Sequence, residues 1–244
     1  MSEFINTLDV VGDEALFADI VCKTVTEISD NVLKVLGPYS LYRCTGLERV
    51  DFPAVEAVEA SVFDGCTVLT TVNLPKATSV GDKAFQKLTA LETVTAPELT
   101  QVGKYSFSSC SGLLQADFPK LTSIAERGFE NCTQLTQVNF PLMTTLGGVA
   151  FGGCTSLKRA EFSVLTTINW SAFASCPLEV FINRDTSGVC ALTVSAFGST
   201  PIESGTGYIY VPAALVDQYK ADTNWSTYAD QIRAIEDYPD ITGG

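Results

Sequence analysis

The chain of 244 residues contains no histidine, and this absence excludes more chemistry than any other feature of its composition. Histidine is the commonest general base, metal ligand and triad member near neutral pH. A GxxxxGK[ST] phosphate loop, a GxSxG elbow and an HExxH helix are missing as well. No pair of carboxylates is singled out by its spacing, so no catalytic residue is assigned and an enzyme is not expected. No CxxC pair is present either, and with no imidazole there is no zinc site and no cofactor site to propose. Basic residues are few and scattered: 15 Lys and Arg against 28 Asp and Glu, a formal charge of −13. Nucleic acid and anionic membrane surfaces, which need clustered Lys/Arg, are therefore not expected as partners. Uninterrupted apolar runs long enough to span a bilayer are lacking, so no membrane insertion is expected. Glu3, Asp9, Asp13 and Glu14 stand where a secretory signal would carry basic residues and a long apolar run. No conventional signal is read there, which leaves retention, export by another route, release by lysis, or a leader outside this sequence.

What is present is a repeat of 22 residues. Leu36, Val58, Val80, Val102, Ile124, Leu146 and Ile168 occupy one column, and Phe63, Phe85, Phe107, Phe129, Phe151 and Phe173 another, with Leu41 in the latter column one step earlier. The unit reads L/I/V-G-x-x-A-F-x-x-C-T-x-L-x-x-V-x-F-P-x-L-T-x and is clearest in Val80–Gln101, Val102–Ser123, Ile124–Thr145 and Leu146–Thr167. A fixed period of this length is the mark of a solenoid in which each turn buries an apolar stripe against the next. Within the unit, Gln137-Val138-Asn139-Phe140 alternates polar and apolar, as a strand with one buried face does. Pro53, Pro75, Pro97, Pro119 and Pro141 close that segment in their copies, ending the ladder and fixing a turn. The stretch from the Gly column to the Cys column suits a turn or a single helical turn. The expected fold is thus an α/β solenoid with a parallel sheet on one face and short turns or helical turns on the other.

Seven cysteines, Cys22, Cys44, Cys66, Cys110, Cys132, Cys154 and Cys176, fall on one column, where Leu88 takes the missing place. Rungs spaced about 4.8 Å apart put neighbouring Cα atoms within disulfide range. Equivalent side chains point in parallel, however, and a leucine replaces one member of the column. Buried free thiols acting as small hydrophobes are therefore expected. Cys190, off the lattice, is expected to be the exposed, reactive thiol.

The register organises the ends. Residues 1–13 form an acidic lead segment and 14–35 a degenerate capping repeat that contains Cys22. The solenoid runs over 36–200, with a register break at Leu178 and an inserted loop at Asn183–Gly188. A C-terminal cap over 201–240 begins with the strand Tyr208–Val211 and continues through Ala213–Ala221 and Trp225–Ile235, both of helical spacing, before a frayed tail. Tyr219, Trp225 and Tyr228 are read as the packing that seals the last rung, with a sugar-stacking platform as the alternative.

If Val138 and Phe140 point inward, the residues between them face solvent. One outward column is Arg49, Thr71, Thr93, Gln115, Gln137 and Arg159, and its neighbour is Asp51, Asn73, Thr95, Asp117, Asn139 and Glu161. The second column never stacks two carboxylates on adjacent rungs, which by itself keeps an exposed parallel sheet soluble and in register. The same twelve residues are the candidate partner-binding surface, a polar groove for a protein loop or a glycan; a weak oxygen-lined Ca²⁺ site is a further alternative. Tyr39, Tyr105 and Trp170 lie on the turn side, where edge packing is the default and partner anchoring the alternative. Asn131-Cys132-Thr133, Asn169-Trp170-Ser171 and Asn224-Trp225-Ser226 match the glycosylation sequon, at a frequency expected by chance in a chain rich in Thr and Ser.

These columns resemble the BspA-like class of leucine-rich repeats, whose unit is I-G-x-x-A-F-x-x-C-x-x-L-x-x-V-x-(I/L/F)-P, from about Val35 to Thr200. Tyr208-Ile209-Tyr210-Val211-Pro212, Tyr219-Lys220 and Trp225 to Ala229 are also similar to the cap that ends many such proteins. The resemblance implies a curved solenoid and a non-enzymatic role in adhesion, with a protein or glycan of a host or bacterial surface as partner. Phe4 to Glu14 resembles the start of short proteins of this class encoded among bacteriophage structural genes. That likeness implies the alternative of a virion-associated structural or host-binding protein, with phage virion proteins as partners. Cell surface and virion are the two locations these resemblances imply.

Overall fold

The computed structural model describes residues 23–242. The lead segment, Cys22 and the earlier part of the capping repeat lie outside the described residues, as do Gly243 and Gly244.

The chain is a stack of rungs, most of which contribute one strand to a front sheet and a two-residue strand to a back sheet. The front strands are Glu27–Ser29, Arg49–Asp51, Thr71–Asn73 and Thr93–Thr95, then Gln137–Phe140, Arg159–Phe162, Val180–Asn183, Tyr208–Val211 and Ile232–Ala234, all parallel. The register follows the repeat, with Gln137 opposite Arg159 and Phe140 opposite Phe162. It shortens by one where Arg159 meets Val180, as the early Leu178 predicts. Val50, Val72, Val94 and Val138 point inward and are buried, while the residues between face out. The back sheet runs from Val35–Leu36 to Ala191–Leu192 in eight strands. The sequence reading did not include this second sheet, because two-residue strands carry no detectable period. It forms because the residue after each column aliphatic donates to the previous rung, as Gly81 N does to Val58 O at 2.8 Å. At Gly81 the approach is close, and a Cβ would come within 2.7 Å of the Glu59 carbonyl carbon, whereas Glu59, Ala125 and Asn169 make the same bond with a side chain in place.

Turns, not helical turns, link back sheet to front sheet. Two columns of left-handed residues build them: Ser61, Lys83, Tyr105, Arg127, Val149 and Ser171 in one, Gly65, Lys87, Ser109, Asn131, Gly153 and Ser175 in the other. The core between the sheets is a continuous stack. Phe63, Phe85, Phe107, Phe129, Phe151, Phe173 and Phe197 lie in near-parallel succession with centroids 4.9–5.7 Å apart. Offset stacking at this separation adds to the burial of each ring. On the edge, Thr100, Thr122, Thr144 and Thr166 each donate a side-chain hydroxyl to the carbonyl of the rung before, at 2.9–3.1 Å.

The cysteine column differs from expectation at one end. Cys66, Cys110, Cys132, Cys154 and Cys176 are buried free thiols, as read from the sequence, but Cys44 is disulfide-bonded to a partner outside the described residues. Adjacent rungs already lie within the Cα range of a cystine, so parallel side-chain directions discourage a bridge without forbidding it. Cys190 is also free but buried rather than exposed. The cap covers it: its amide donates to Tyr219 Oη at 3.0 Å, and Trp225 Nε1 donates to its carbonyl at 2.6 Å.

In the cap, Val216–Ala221 is α-helical and Ser226–Gln231 forms a 3-10 turn. Ile232–Ala234, inside the segment of helical spacing, is instead a strand paired with Tyr208–Val211. An unpaired edge at the end of a long sheet is satisfied by adding a strand, and that outweighs local propensity. Pro239–Thr242 makes a helical turn in place of the expected fray. Tyr219, Trp225 and Tyr228 are buried and seal the stack. Asn183, opposite Phe162, ends the inner aromatic column with a buried amide that donates to Leu165 O and Tyr219 Oη.

Candidate functional site

All twelve outward residues lie on the front face, in two columns that follow the sheet register. They fall into three groups by what their side chains touch. At the N-terminal end Arg49 approaches Glu27 at 3.8 Å, and Asn73 donates to Asp51 at 2.7 Å, while the Thr71 hydroxyl lies 3.5 Å from that of Thr70. At the C-terminal end Arg159 and Arg184 both clamp Glu161, at 2.8 and 2.9 Å. Arg159 also donates to the carbonyl of Ile241 at 2.9 Å. These contacts are internal and hold the face in shape. In the middle, Thr93, Thr95, Gln115, Asp117, Gln137 and Asn139 make no side-chain hydrogen bond among the described residues, and all are exposed.

That free middle coincides with a break in the sheet. Residues 115–117 form no strand, and no backbone hydrogen bond crosses from them to either neighbouring rung. Leu114 N reaches Glu92 O only at 3.5 Å, whereas at the same position of earlier rungs Thr70 N reaches Glu48 O at 2.9 Å and Glu92 N reaches Thr70 O at 3.0 Å. One substitution sets this rung apart. Leu114 is the one apolar residue in a column that otherwise holds Glu48, Thr70, Glu92, Thr136 and Lys158. Ala116 replaces the inward valine, as Ala160 also does in the paired strand Arg159–Phe162.

The result is a cleft of about 520 Å³ lined by Leu114, Gln115, Asp117, Gln137, Asn139 and the Arg159–Glu161 pair. A smaller cleft on the other flank of the same rung reaches Thr93 and Thr95. The carboxamides can both donate and accept, Asp117 accepts, and half-exposed Leu114 supplies an apolar contact. This chemistry fits hydroxyls or peptide groups rather than a strongly charged ligand. Among the described residues no cluster of three or more His, Cys, Asp or Glu side chains is placed to hold a metal ion, and no helix is long and apolar enough to cross a membrane. Sequence reasoning placed the columns but missed the break; its signal was Leu114 in a column of otherwise polar residues.

On the turn side Arg127 sits between two rings, 5.8 Å from the Tyr105 centroid and 5.9 Å from that of Trp170. It pairs with Glu130 at 2.5 Å and with Glu126 at 3.7 Å. Tyr39 is half exposed and packs edge-on to Tyr42. Of the sequon asparagines, Asn169 is occupied by a hydrogen bond to Leu146 O at 2.8 Å.

Comparison with known proteins agrees with this architecture. A T. pallidum leucine-rich repeat protein is similar over 62% of this chain and 76% of its own, at 24% identity and a TM-score of 0.55. The pneumococcal vaccine antigen PcpA is similar over 86% of this chain and 68% of its own, at 13% identity and the same TM-score of 0.55. Both show the fold. Among curated proteins none matches the chain significantly. The profile of the BspA-type leucine-rich repeat region matches residues 3–92 and 78–200, in six copies. With most of its length matched in register, the chain belongs to the BspA-type leucine-rich repeat family.

Proposed function

We propose that the chain is a non-enzymatic recognition module that holds a protein or glycan partner in the front-face cleft, in the service of adhesion to a host or bacterial surface. One observation carries this reading: the outward side chains that no internal contact occupies, Gln115, Asp117, Gln137 and Asn139, gather where the front sheet opens, on the rung without a strand and on the strand that follows it. A rigid stack on both sides keeps those groups in place before a partner arrives, which lowers the ordering cost of binding. Membership of a leucine-rich repeat family is in keeping with a role in binding. The lack of histidine and of any catalytic motif supports a role without chemistry.

The test is interferometry of the chain against immobilised fibronectin, fibrinogen, laminin and mucin. Wild type should bind at least one of them, and the variant with Gln115, Asp117, Gln137 and Asn139 all changed to alanine should lose that binding with an unchanged melting temperature. Undiminished binding by the variant removes the cleft from the site, and a wild-type chain that binds none of the four removes the adhesive role.

A further inference from the structure

Past Glu161 the two outward columns of the front face change character. Arg159 is followed by Val180 and Tyr208, and Glu161 by Ile182, Tyr210 and Arg233, in unbroken register. On earlier rungs the second column, from Asp51 to Asn139, is exposed or half-buried, whereas Ile182 and Tyr210 are buried. An outward column is buried only where something lies over it.

What lies over Tyr210 is the chain itself. After the last front strand, Ile235–Asp237 forms a 3-10 turn and Pro239–Thr242 a helical turn. The Tyr238 ring meets Tyr210 edge to face, with centroids 5.5 Å apart, and Arg159 Nη1 donates to the Ile241 carbonyl at 2.9 Å. The segment therefore straps the face from Ile232–Ala234 back to Arg159–Phe162, across two intervening strands. Beside it, the Arg233 guanidinium lies over the half-exposed Tyr208 ring, 4.9 Å from its centroid. Tyr238 and Ile241 stay 37% and 40% exposed, so the strap rests on the surface and is not built into the core. A segment seated in this way opens at little cost compared with the stack beneath it.

Strap and surface are complementary in charge as well as shape. Glu236, Asp237 and Asp240 surround Tyr238 in sequence. Beneath them Arg159 and Arg184 share the single carboxylate of Glu161. Arg233 makes its hydrogen bonds to the carbonyls of Asp230 and Ile232, with no carboxylate in ion-pair reach among the described residues. In a chain of formal charge −13 this is an unusual surplus of guanidinium groups, and it surrounds an aromatic pocket. A tyrosine set among acidic residues satisfies both features, the ring by edge-to-face contact and the acids by steering toward the guanidinium groups.

We propose that Tyr208, Tyr210, Arg233 and Arg159 form a docking surface for a protein loop that presents a tyrosine among acidic residues, and that Tyr238–Thr242 is the cis occupant such a loop displaces. The incoming ring takes the place of Tyr238 on Tyr210, and a carbonyl of the loop accepts the Arg159 hydrogen bond. The surface adjoins the front cleft and shares Arg159 with it, but its test needs no ligand of the cleft.

The experiment is calorimetry and amide NMR of the full chain with a synthetic peptide of residues 235–242. Tyr238→Ala removes the ring that seats the strap and, at a partly exposed position, should leave the melting temperature unchanged. That variant should bind the peptide saturably, with shifts in the amides of Tyr208–Val211 and Arg233. Wild type should bind it at least about tenfold more weakly, because its own strap holds the site. Tyr238→Phe, which keeps the ring contact, should behave as wild type does. Replacing the peptide's own tyrosine by alanine should abolish binding. Failure of the Tyr238→Ala chain to bind overturns the proposal, as do equal affinities for variant and wild type, or binding indifferent to the peptide's tyrosine. In the unaltered chain, peptide at roughly millimolar concentration should still shift the same amides. Their indifference there overturns the proposal too, whether or not the alanine variant folds.

Discussion

The thiol of Cys132 donates to the carbonyl oxygen of Phe107, 25 positions earlier, across 3.2 Å. Cys66, Cys110, Cys154 and Cys176 repeat the contact on Leu41, Phe85, Phe129 and Phe151. The column is therefore more than small apolar filling: each thiol gives a second donor to a carbonyl of the rung before that already accepts a backbone N–H, as Phe107 O does from Cys110 N at 3.1 Å. Cys132→Ala should cost about 1–3 kcal/mol, from the cavity and the lost donor together. Cys132→Val restores volume but not the donor, so about 1 kcal/mol of deficit should persist. Urea unfolding measures both, and a valine variant as stable as wild type would show that the thiol bond adds nothing.

Burial also sets how the fold responds to alkali. It pushes the thiols of Cys66, Cys110 and Cys190 up to about 12 from an ordinary 9.0. These groups stay protonated in the folded chain while the unfolded chain ionises them first. Stability is therefore complete below about pH 9 and is lost as pH rises from there toward 12, by about 1.4 kcal/mol per pH unit for each thiol. Tyr219, pushed by burial to about 12, adds to the loss above its ordinary 10.0. The urea midpoint should be flat from about pH 7 to 8.5 and fall steeply beyond about pH 9. Iodoacetamide at neutral pH should leave all six free thiols, Cys190 included, unmodified in the native chain.

How much of this was legible depended on repetition. The phenylalanine, valine and cysteine columns recur rung after rung, so the solenoid, its front sheet and the outward faces follow from spacing alone. The departures occur where a residue acts through something other than its column. Cys190 looks exposed until Tyr219 and Trp225 are seen to cap it. Ile232–Ala234 has helical spacing but answers to the open edge of Tyr208–Val211. Arg159 reads as a free outward cation, yet Glu161 and the Ile241 carbonyl occupy it. The break at 115–117 hides because Ala116 recurs as Ala160 in a paired strand, which leaves the single change of Leu114 in a polar column as its mark.

That account of the break can be tested by repair. Leu114→Thr with Ala116→Val gives the rung the residues of the one that follows it, Thr136 and Val138. The amides of 115–118 should then exchange at least about tenfold more slowly than in wild type, where they have no partner in the ladder. Stability should rise by about 1 kcal/mol from the added hydrogen bonds and burial. Partner binding at the front cleft should fall, since the opening itself is removed. Exchange as fast as in wild type would mean that the break has another cause.

Val149 offers the clearest case of strain unconnected with packing. Its φ of +56 lies in the left-handed region, which a β-branched residue enters only at a cost, while Asn131 adopts φ +58 one rung earlier in the companion column. Asparagine tolerates that conformation because its short polar side chain bonds locally. Val149→Asn should therefore stabilise the chain by about 0.5–1 kcal/mol, despite giving up the aliphatic contacts of a half-buried side chain. The melting temperature measures the gain. A variant that is less stable than wild type would show that the packing of valine outweighs its conformational cost.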